Sequence, residues 1–210
     1  MSPSLLRVDA SPRPAGTSRT LTGAYAAAWQ AAHPDGRVVH HDLPSMDLPH
    51  LGATELGAWF VDPGDHVDIH GLVLARSDRL IDDVLAADEI VIGSPMWNFS
   101  IPSSLKAWID HVVRAGRTVQ FGADGPAGAV HAPTVVITSR GSDFRPGSGT
   151  EAMDFQEPYL RQVLSFLGVP DVQFVDADHQ GPNWSDGDDV LTSARARLEG
   201  LARRHVVERV

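Results

Sequence analysis

Residues 89–116 read EIVIGSPMWNFSIPSSLKAWIDHVVRAG, a short apolar run followed by an aromatic loop and an amphipathic segment. The run EIVIG is apolar at its centre, which is typical of an inner parallel strand that helices cover on both faces. Pro102 is placed to open a helix, where its missing N–H costs nothing, and Gly116 is placed to end it. The stretch therefore predicts a strand, a loop rich in ring side chains and a helix.

Four more apolar runs of strand length occur, and segments that can hold a helix separate them. The predicted strands are Leu5–Ala10, Val38–Leu43, Glu89–Gly93, Thr134–Ser139 and Val172–Val175. The predicted helices are Thr20–Ala32, Leu72–Ala87, Pro102–Gly116, Asp154–Leu167 and Asp188–Val207. This alternation predicts an α/β fold with a doubly wound five-stranded parallel sheet, order 2-1-3-4-5, and helices on both faces.

The composition narrows the class of protein. A chain of 210 residues with 42% hydrophobic and 21% charged residues favours one folded domain over residues 1–210. Its formal net charge of -10 disfavours nucleic acid and anionic membrane surfaces as partners. It contains no cysteine, which excludes disulfides and Cys-ligated metals. Because there is no apolar leader segment and no long apolar run, we expect a cytoplasmic protein.

The histidines do not indicate a metal site. His40, His41 and Asp42 are consecutive on a predicted strand, so neighbouring side chains point to opposite faces. No second pair of ligands has a suitable spacing. Asp110 and His111 are adjacent on a predicted helix, where we expect both to be exposed. A serine hydrolase is disfavoured as well, because the GxSxG pattern is missing.

Ligands of such sheets bind beyond the carboxyl ends of the strands where the strand order reverses, here in the loops after Ala10, Gly93 and Ser139. The first loop supplies hydroxyls at a helix start, where free N–H groups and the helix dipole favour an anion. These are Ser11, Thr17, Ser18 and Thr20. P-loop and GxGxxG patterns are missing, so a monophosphate fits better than a triphosphate. Helix capping by Ser18 or Thr20 is the alternative.

The second loop places a thioether, two aromatic rings and an amide where small polar turn residues are usual. Its residues are Pro95, Met96, Trp97, Asn98 and Phe99. They fit a flat heteroaromatic ligand, stacked by apolar side chains and recognised at its edge by amide and backbone groups. The alternative is that Met96, Trp97 and Phe99 only pack beneath the following helix.

The third loop brings hydroxyls and a glycine to a strand end, where backbone N–H groups can approach a ligand closely. It contains Ser139, Arg140, Gly141 and Ser142, and taken alone it is an ordinary turn. In combination, the three loops predict a phosphate at one end of a site and a flat ring at the other. The ligand that fits this pattern is FMN.

The same segments resemble a known family. Residues 94–121 resemble the PMYNFxIPxxLKxxxDxxxRAGxTF signature of the FMN-dependent NADH:quinone and azobenzene reductases, often called azoreductases. Residues 136–141, VITSRG, resemble their VITSRGG strand end, and residues 158–168 resemble the helix of their fifth unit. The similarity extends over nearly the whole chain and is thin over residues 44–69.

The resemblance implies a flavodoxin-like homodimer with one FMN per subunit and active sites at the subunit interface. Carried over by position, Ser11 and Ser18-Arg19-Thr20 would hold the FMN phosphate. Met96-Trp97-Asn98-Phe99 would hold the isoalloxazine, and Ser139-Arg140-Gly141-Ser142 would border the ring or the ribityl chain.

Three positions depart from the family pattern. Trp97 replaces a tyrosine, Ser142-Asp143-Phe144 replaces a second glycine and its neighbours, and Thr20 replaces a serine. The first removes a phenol and adds bulk, and the second reshapes the entrance over the flavin. These departures affect the expected substrate more than the expected cofactor.

The hypothesis that follows is a ping-pong oxidoreductase. NADH or NADPH would donate a hydride to flavin N5 and leave, and a quinone or azo compound would then take two electrons in the same place. No protein acid or base is required. One alternative is a flavodoxin-like electron carrier or regulatory flavoprotein without a nicotinamide site, and another is a binding module without flavin. The long connections at residues 44–69 and 121–133 favour the enzyme, because they could build a substrate pocket across a dimer interface.

Overall fold

The computed structural model describes residues 2–61, 68–181 and 184–204. Its strands are β1 (Ser4–Asp9), β2 (Arg37–Asp42), β3 (Glu89–Pro95), β4 (Val119–Gly122), β5 (Gly125–Gly128), β6 (Thr134–Ser139) and β7 (Val172–Ala177). Its helices are α1 (Thr17–Ala32), α2 (Ala53–Trp59), α3 (Asp68–Ala86), α4 (Ser103–Val112), α5 (Glu157–Phe166) and α6 (Gly187–Arg204), with 3₁₀ turns at Leu43–Ser45 and Glu151–Met153.

One sheet of five strands has the order β2-β1-β3-β6-β7, and every neighbouring pair is parallel. Counting only the strands of this sheet, the order is the predicted 2-1-3-4-5. The strand order reverses between β1 and β3, so the carboxyl ends of these two strands flank the crevice in which such sheets bind ligands. The strand at the centre, β3, is buried along all but its last residue, as its apolar sequence predicts.

Two hydrophobic clusters use alternate residues of the strands. Leu6 and Ile92 belong to a cluster with residues of α3, α4 and α5, whereas Leu5 and Val91 belong to a cluster with residues of α1 and α6. Because successive side chains of a strand point to opposite faces, the two clusters lie on the two faces of the sheet. No described helix combines the length and the apolar character needed to cross a bilayer.

The two long connections, for which the sequence predicts no helix or strand, contain regular structure. Residues 44–69 include the short helix α2, and residues 121–133 overlap the antiparallel pair β4–β5. The sequence of β5, GPAG, contains none of the β-branched or aromatic residues that mark a strand, so its residues alone could not reveal it. An added Cβ at Gly128 would lie 1.9 Å from the carbonyl carbon of Leu167, so this hairpin lies directly against the end of α5.

Several predicted helix ends were wrong. Thr20 donates its N–H to the Gly16 carbonyl (2.9 Å), so α1 begins at Thr17 and not at Thr20. The predicted C-terminal residue Gly116 lies in a later turn with φ of 76°, because α4 already ends at Val112. There the Thr118 hydroxyl donates to the Val112 carbonyl (2.6 Å) and satisfies it after the last helical turn. The predicted end of the last helix, Val207, lies outside the described residues.

Candidate functional site

A cleft lies at the carboxyl ends of β1, β3 and β6, and parts of all three predicted loops line it. Its lining residues are Ser11, Arg13, Gly16, Thr17, Pro95, Met96, Trp97, Ser139, Arg140, Gly141 and Gln180. Most of the predicted site residues are therefore brought together. The predicted residues that do not line it are Ser18, Arg19, Thr20, Asn98, Phe99 and Ser142.

At one end of the cleft, the start of α1 is left without a side-chain cap. The N-cap residue is Gly16, in extended conformation, so the alternative that Ser18 or Thr20 caps this helix is wrong. The first N–H groups of a helix have no partner within it, and together with the helix dipole they favour an anion. The Ser18 hydroxyl is also fully buried and has no hydrogen-bond partner among the described residues. This helix start therefore has the donors that a phosphate requires.

The loop before α1 is folded tightly on itself. The Arg13 N–H donates to the Ser11 hydroxyl (3.3 Å), and the Gly16 N–H donates to the Arg13 carbonyl (2.9 Å). A Cβ at Gly16 would lie only 2.4 Å from Ser11 Oγ, so only glycine fits there without a shift of the loop. Gly16 and Arg13 were missed from sequence, although both lie within the loop that the strand order identifies.

The side chains of Arg19 and Thr20 point away from the cleft. Arg19 donates to the carbonyl of Ser11 and forms an ion pair with Asp42. This hydrogen-bonded pair lowers the pKa of Asp42 and raises that of Arg19. Thr20 is exposed and lines a separate hollow between α1 and α6, together with Leu21 and Leu191. The predicted role of these two side chains as phosphate ligands finds no support in this arrangement.

At the other end of the cleft, residues 97–100 form a tight turn. Trp97 and Ser100 exchange both backbone hydrogen bonds (2.9 and 3.1 Å), and Asn98 and Phe99 between them have φ of 48° and 68°. Left-handed backbone at consecutive non-glycine residues is costly and is concentrated at functional sites. Trp97 is 42% exposed and Phe99 is 45% exposed, so the alternative that they only pack beneath the helix is wrong.

The charged side chain of the third loop, Arg140, contributes less to the cleft than the sequence predicts. Arg140 is only 2% exposed, and its guanidinium donates twice to Asp178 (2.6 and 2.9 Å) and once to Asp154 (2.9 Å). Burial raises the pKa of Asp178, although Arg140 opposes this shift. Because its donors face these carboxylates, Arg140 fixes the loop from within, whereas Ser139 and Gly141 line the cleft with it.

A fourth loop, after β7, was missed from sequence. It brings Gln180 into the lining, where the Thr17 hydroxyl donates to Gln180 Oε1 (3.1 Å). The Gln180 N–H donates to the Arg140 carbonyl (3.0 Å), which joins this loop to the third one. The strand order alone could have revealed this loop, because β7 ends at the same edge of the parallel sheet as the other strands.

The histidines have structural contacts. His40 Nε2 lies 2.8 Å from Asp9 and His41 Nε2 lies 3.0 Å from Asp83, on opposite faces of β2 as predicted. His111 is buried and its Nε2 lies 3.0 Å from the Pro49 carbonyl, so the expectation that it is exposed was wrong. This contact fastens the connection after β2 to α4. Within the described ranges, no group of three or more His, Asp or Glu is placed to hold a metal ion.

Comparison with known proteins connects this cleft to a family. A family model described as a flavodoxin-like fold matches residues 3–201. An FMN-dependent NADH:quinone oxidoreductase of Nostoc punctiforme is 40% identical over 200 residues, which cover 93% of this chain and 96% of that protein. The protein of the same name from Azotobacter vinelandii is 43% identical over 176 residues, covering 83% and 86%. This chain belongs to the FMN-dependent NADH:quinone oxidoreductase family.

Solved structures agree with this membership. The crystal structure of azoreductase AzrA aligns with a TM-score of 0.88 at 25% identity, covering 96% of this chain and 99% of that one. An azoreductase from Bacillus anthracis aligns with a TM-score of 0.87 at 26% identity, with the same coverage. The resemblance that residues 94–121 and 136–141 indicated is confirmed, and so is the flavodoxin-like fold that it implied.

Proposed function

We propose that this protein is an FMN-dependent NAD(P)H oxidoreductase that reduces quinones and azo compounds. The observation that carries the proposal is a cleft at the β1–β3 crevice with donors for a phosphate at one end and exposed aromatic rings at the other. Relatives named FMN-dependent NADH:quinone oxidoreductases, about two-fifths identical over most of both chains, support the same function.

In this proposal, the start of α1 holds the FMN phosphate. The free N–H groups of Thr17, Ser18 and Arg19 would donate to it, together with the hydroxyls of Ser11 and Ser18. The Ser18 hydroxyl is buried and has no partner among the described residues, although buried hydroxyls normally have one. A bound phosphate would supply that partner. Arg13 lies at the same end of the cleft and is exposed. Because it forms no ion pair among the described residues, it adds positive charge at the entrance.

The other end of the cleft holds the ring system. Met96 and Trp97 would contact its faces, and the backbone N–H groups of the Asn98–Phe99 turn would approach its polar edge. Ser139, Gly141 and Gln180 would border the ribityl chain and the ring. When bound, FMN supplies hydride and electron transfer between a nicotinamide and an acceptor, and the protein supplies binding and orientation.

The working unit in this proposal is a cytoplasmic homodimer, with one domain and one FMN per subunit. Exposed apolar side chains beside the ring end support a second subunit at this surface. Phe155 is 62% exposed, and its N–H donates to the Phe99 carbonyl (3.0 Å), so the two rings belong to neighbouring backbone segments. Exposed apolar patches of this kind mark interaction sites. The lack of cysteine fits a reducing compartment.

Anaerobic stopped-flow absorbance of the FMN-loaded protein tests the activity. We expect the oxidised flavin band to bleach rapidly on mixing with NADH or NADPH and to recover on addition of benzoquinone. The same sequence with a water-soluble azo dye tests the second acceptor class. Bound flavin that neither nicotinamide bleaches would contradict the enzyme and would favour a carrier that exchanges electrons with a protein partner.

A further inference from the structure

We propose that Arg19 is a positioning residue that holds the phosphate-binding loop in place through the Ser11 carbonyl and Asp42, and that it does not itself bind the phosphate. This inference rests on the proposed function, because it assigns the FMN phosphate to the start of α1. The family resemblance implies a different role, in which Arg19 itself holds the phosphate.

The contacts of the guanidinium support this role. Arg19 Nε and Nη2 both donate to the Ser11 carbonyl, at 3.1 and 2.8 Å. Nη1 donates to Asp42 Oδ2 at 3.1 Å, and Nη2 donates to Asp42 Oδ1. An arginine side chain has five N–H donors, and four hydrogen bonds already engage four of them. A phosphate would therefore have to displace existing partners.

The partners of Arg19 tie three elements together. Asp42 is the last residue of β2 and lies opposite Asp9, the last residue of β1, in the parallel register. Ser11 follows β1, and its hydroxyl lies against Gly16 at the start of α1. Arg19, in the first turn of α1, thus links the edge strand to the loop that carries the Ser11 hydroxyl. Ser45 supports this link from outside, since its hydroxyl donates to Asp42 Oδ2 (3.0 Å).

The two possible roles predict opposite effects of removing the charge of Asp42. If Arg19 binds the phosphate directly, Asp42→Asn frees a guanidinium and removes a negative charge nearby, so FMN should bind more tightly. If Arg19 positions the loop, Asp42→Asn loosens the Ser11 segment, so FMN should bind more weakly. Riboflavin lacks the phosphate and should be affected little in either case.

The experiment is a titration of the flavin-free full-length protein with FMN and with riboflavin, followed by quenching of flavin fluorescence. We expect Asp42→Asn to weaken FMN binding about tenfold, the effect of losing one charge-assisted hydrogen bond. The matched control is Asp47→Asn, which makes the same change of charge on an exposed residue of the connection that follows β2. FMN affinity that rises or stays unchanged in Asp42→Asn would overturn the proposal.

Two further variants separate geometry from charge. Arg19→Lys keeps the charge but cannot bridge the Ser11 carbonyl and Asp42 with a planar fork, so we expect it to lose nearly as much FMN affinity as Arg19→Ala. Full recovery in Arg19→Lys would show that charge alone matters and would contradict the positioning role. The double variant Arg19→Ala/Asp42→Asn should be no weaker than Arg19→Ala, because both changes break one unit.

The proposed function can fail separately from this inference. If the unaltered protein, correctly folded by circular dichroism, binds neither flavin, the assignment of FMN itself is wrong. If it binds FMN and discriminates against riboflavin while the Asp42→Asn effect has the wrong sign, only the role of Arg19 is wrong. Thermal unfolding of each variant identifies any that has lost its fold, and Arg19→Lys then supplies the test.

Discussion

The two ends of the cleft are built in different ways. The phosphate end is polar and internally bonded: the Ser11 and Ser18 side chains are buried, and their loop is closed by its own hydrogen bonds. The ring end consists of aromatic side chains on a left-handed turn, and Trp97 and Phe99 are both partly exposed to solvent. Changes at the polar end should therefore alter folding and cofactor affinity together. Changes at the ring end should alter ligand contacts and leave the fold intact.

The largest effect is expected at Arg140, whose buried ion pair with Asp178 joins the third loop to the loop after β7. Arg140→Met would leave the buried Asp178 without its partner and remove one donor from the half-buried Asp154, and breaking a buried pair typically costs about 3–5 kcal/mol of unfolding free energy. Urea denaturation followed by circular dichroism measures this loss. Lys106→Met is the control, since Lys106 forms an exposed pair with Asp110 one helical turn away, and we expect less than about 1 kcal/mol there. Equal losses in both variants would show that burial does not set the cost of losing an ion pair, and the contrast between a buried end and an exposed end of the cleft would lose its basis.

Gly16→Ala should have the next largest effect, on the unfolding free energy and on cofactor affinity together. The added Cβ would lie 2.4 Å from Ser11 Oγ, so the loop must move away from the start of α1. Overpacking of this kind typically costs about 1–3 kcal/mol, and we expect the Kd of FMN to rise about tenfold or more. Fluorescence titration measures the change. Gly57→Ala provides the comparison, because nothing lies within 4 Å of a Cβ at that position. FMN affinity unchanged in Gly16→Ala would show that this end is adaptable.

At the ring end, Trp97→Ala should separate binding from stability. Trp97 is 42% exposed, so we expect its removal to change the unfolding free energy by less than about 1 kcal/mol. A stacking contact with a flat ligand is worth about 0.5–1.5 kcal/mol, so the Kd of FMN should rise severalfold. Phe60→Ala removes another exposed ring, at the end of α2, and should leave FMN binding unchanged. A large loss of stability in Trp97→Ala would place this residue in the core instead.

The sequence predicted the positions of loops better than the directions of long side chains. The periodicity of short apolar runs was sufficient to place β1, β3 and β6, and hence the loops that line the cleft. The direction of Arg19 depends on Asp42, and that of Arg140 depends on Asp178, partners that are distant in the chain and meet only in the folded sheet. The sequence therefore assigns Arg19 to the phosphate from its place in the loop, and it does not reveal that the charge of this side chain is paired with Asp42.

The missed residues have equally physical causes. Glycine is required at position 16 because the backbone there lies close to the Ser11 side chain, and no sequence pattern reveals this contact. Gln180 enters the lining because the loop after β7 returns over the same sheet edge, and a hydrogen bond from Thr17 holds it there. Both depend on tertiary distances and not on local propensity.

The smallest effect is expected from the turn at the ring end, and it decides whether Asn98 acts through its backbone or its amide. Asn98 has φ of 48°, a conformation that glycine adopts freely and alanine does not. Asn98→Gly should change the unfolding free energy by less than about 0.5 kcal/mol, and Asn98→Ala should lose about 1 kcal/mol. Both variants lack the amide, so a difference between them reports the shape of the turn. If that shape determines ring binding, FMN affinity should fall only in Asn98→Ala. An equal fall in both would assign the contact to the side chain, and the ring end would then share the polar recognition of the phosphate end.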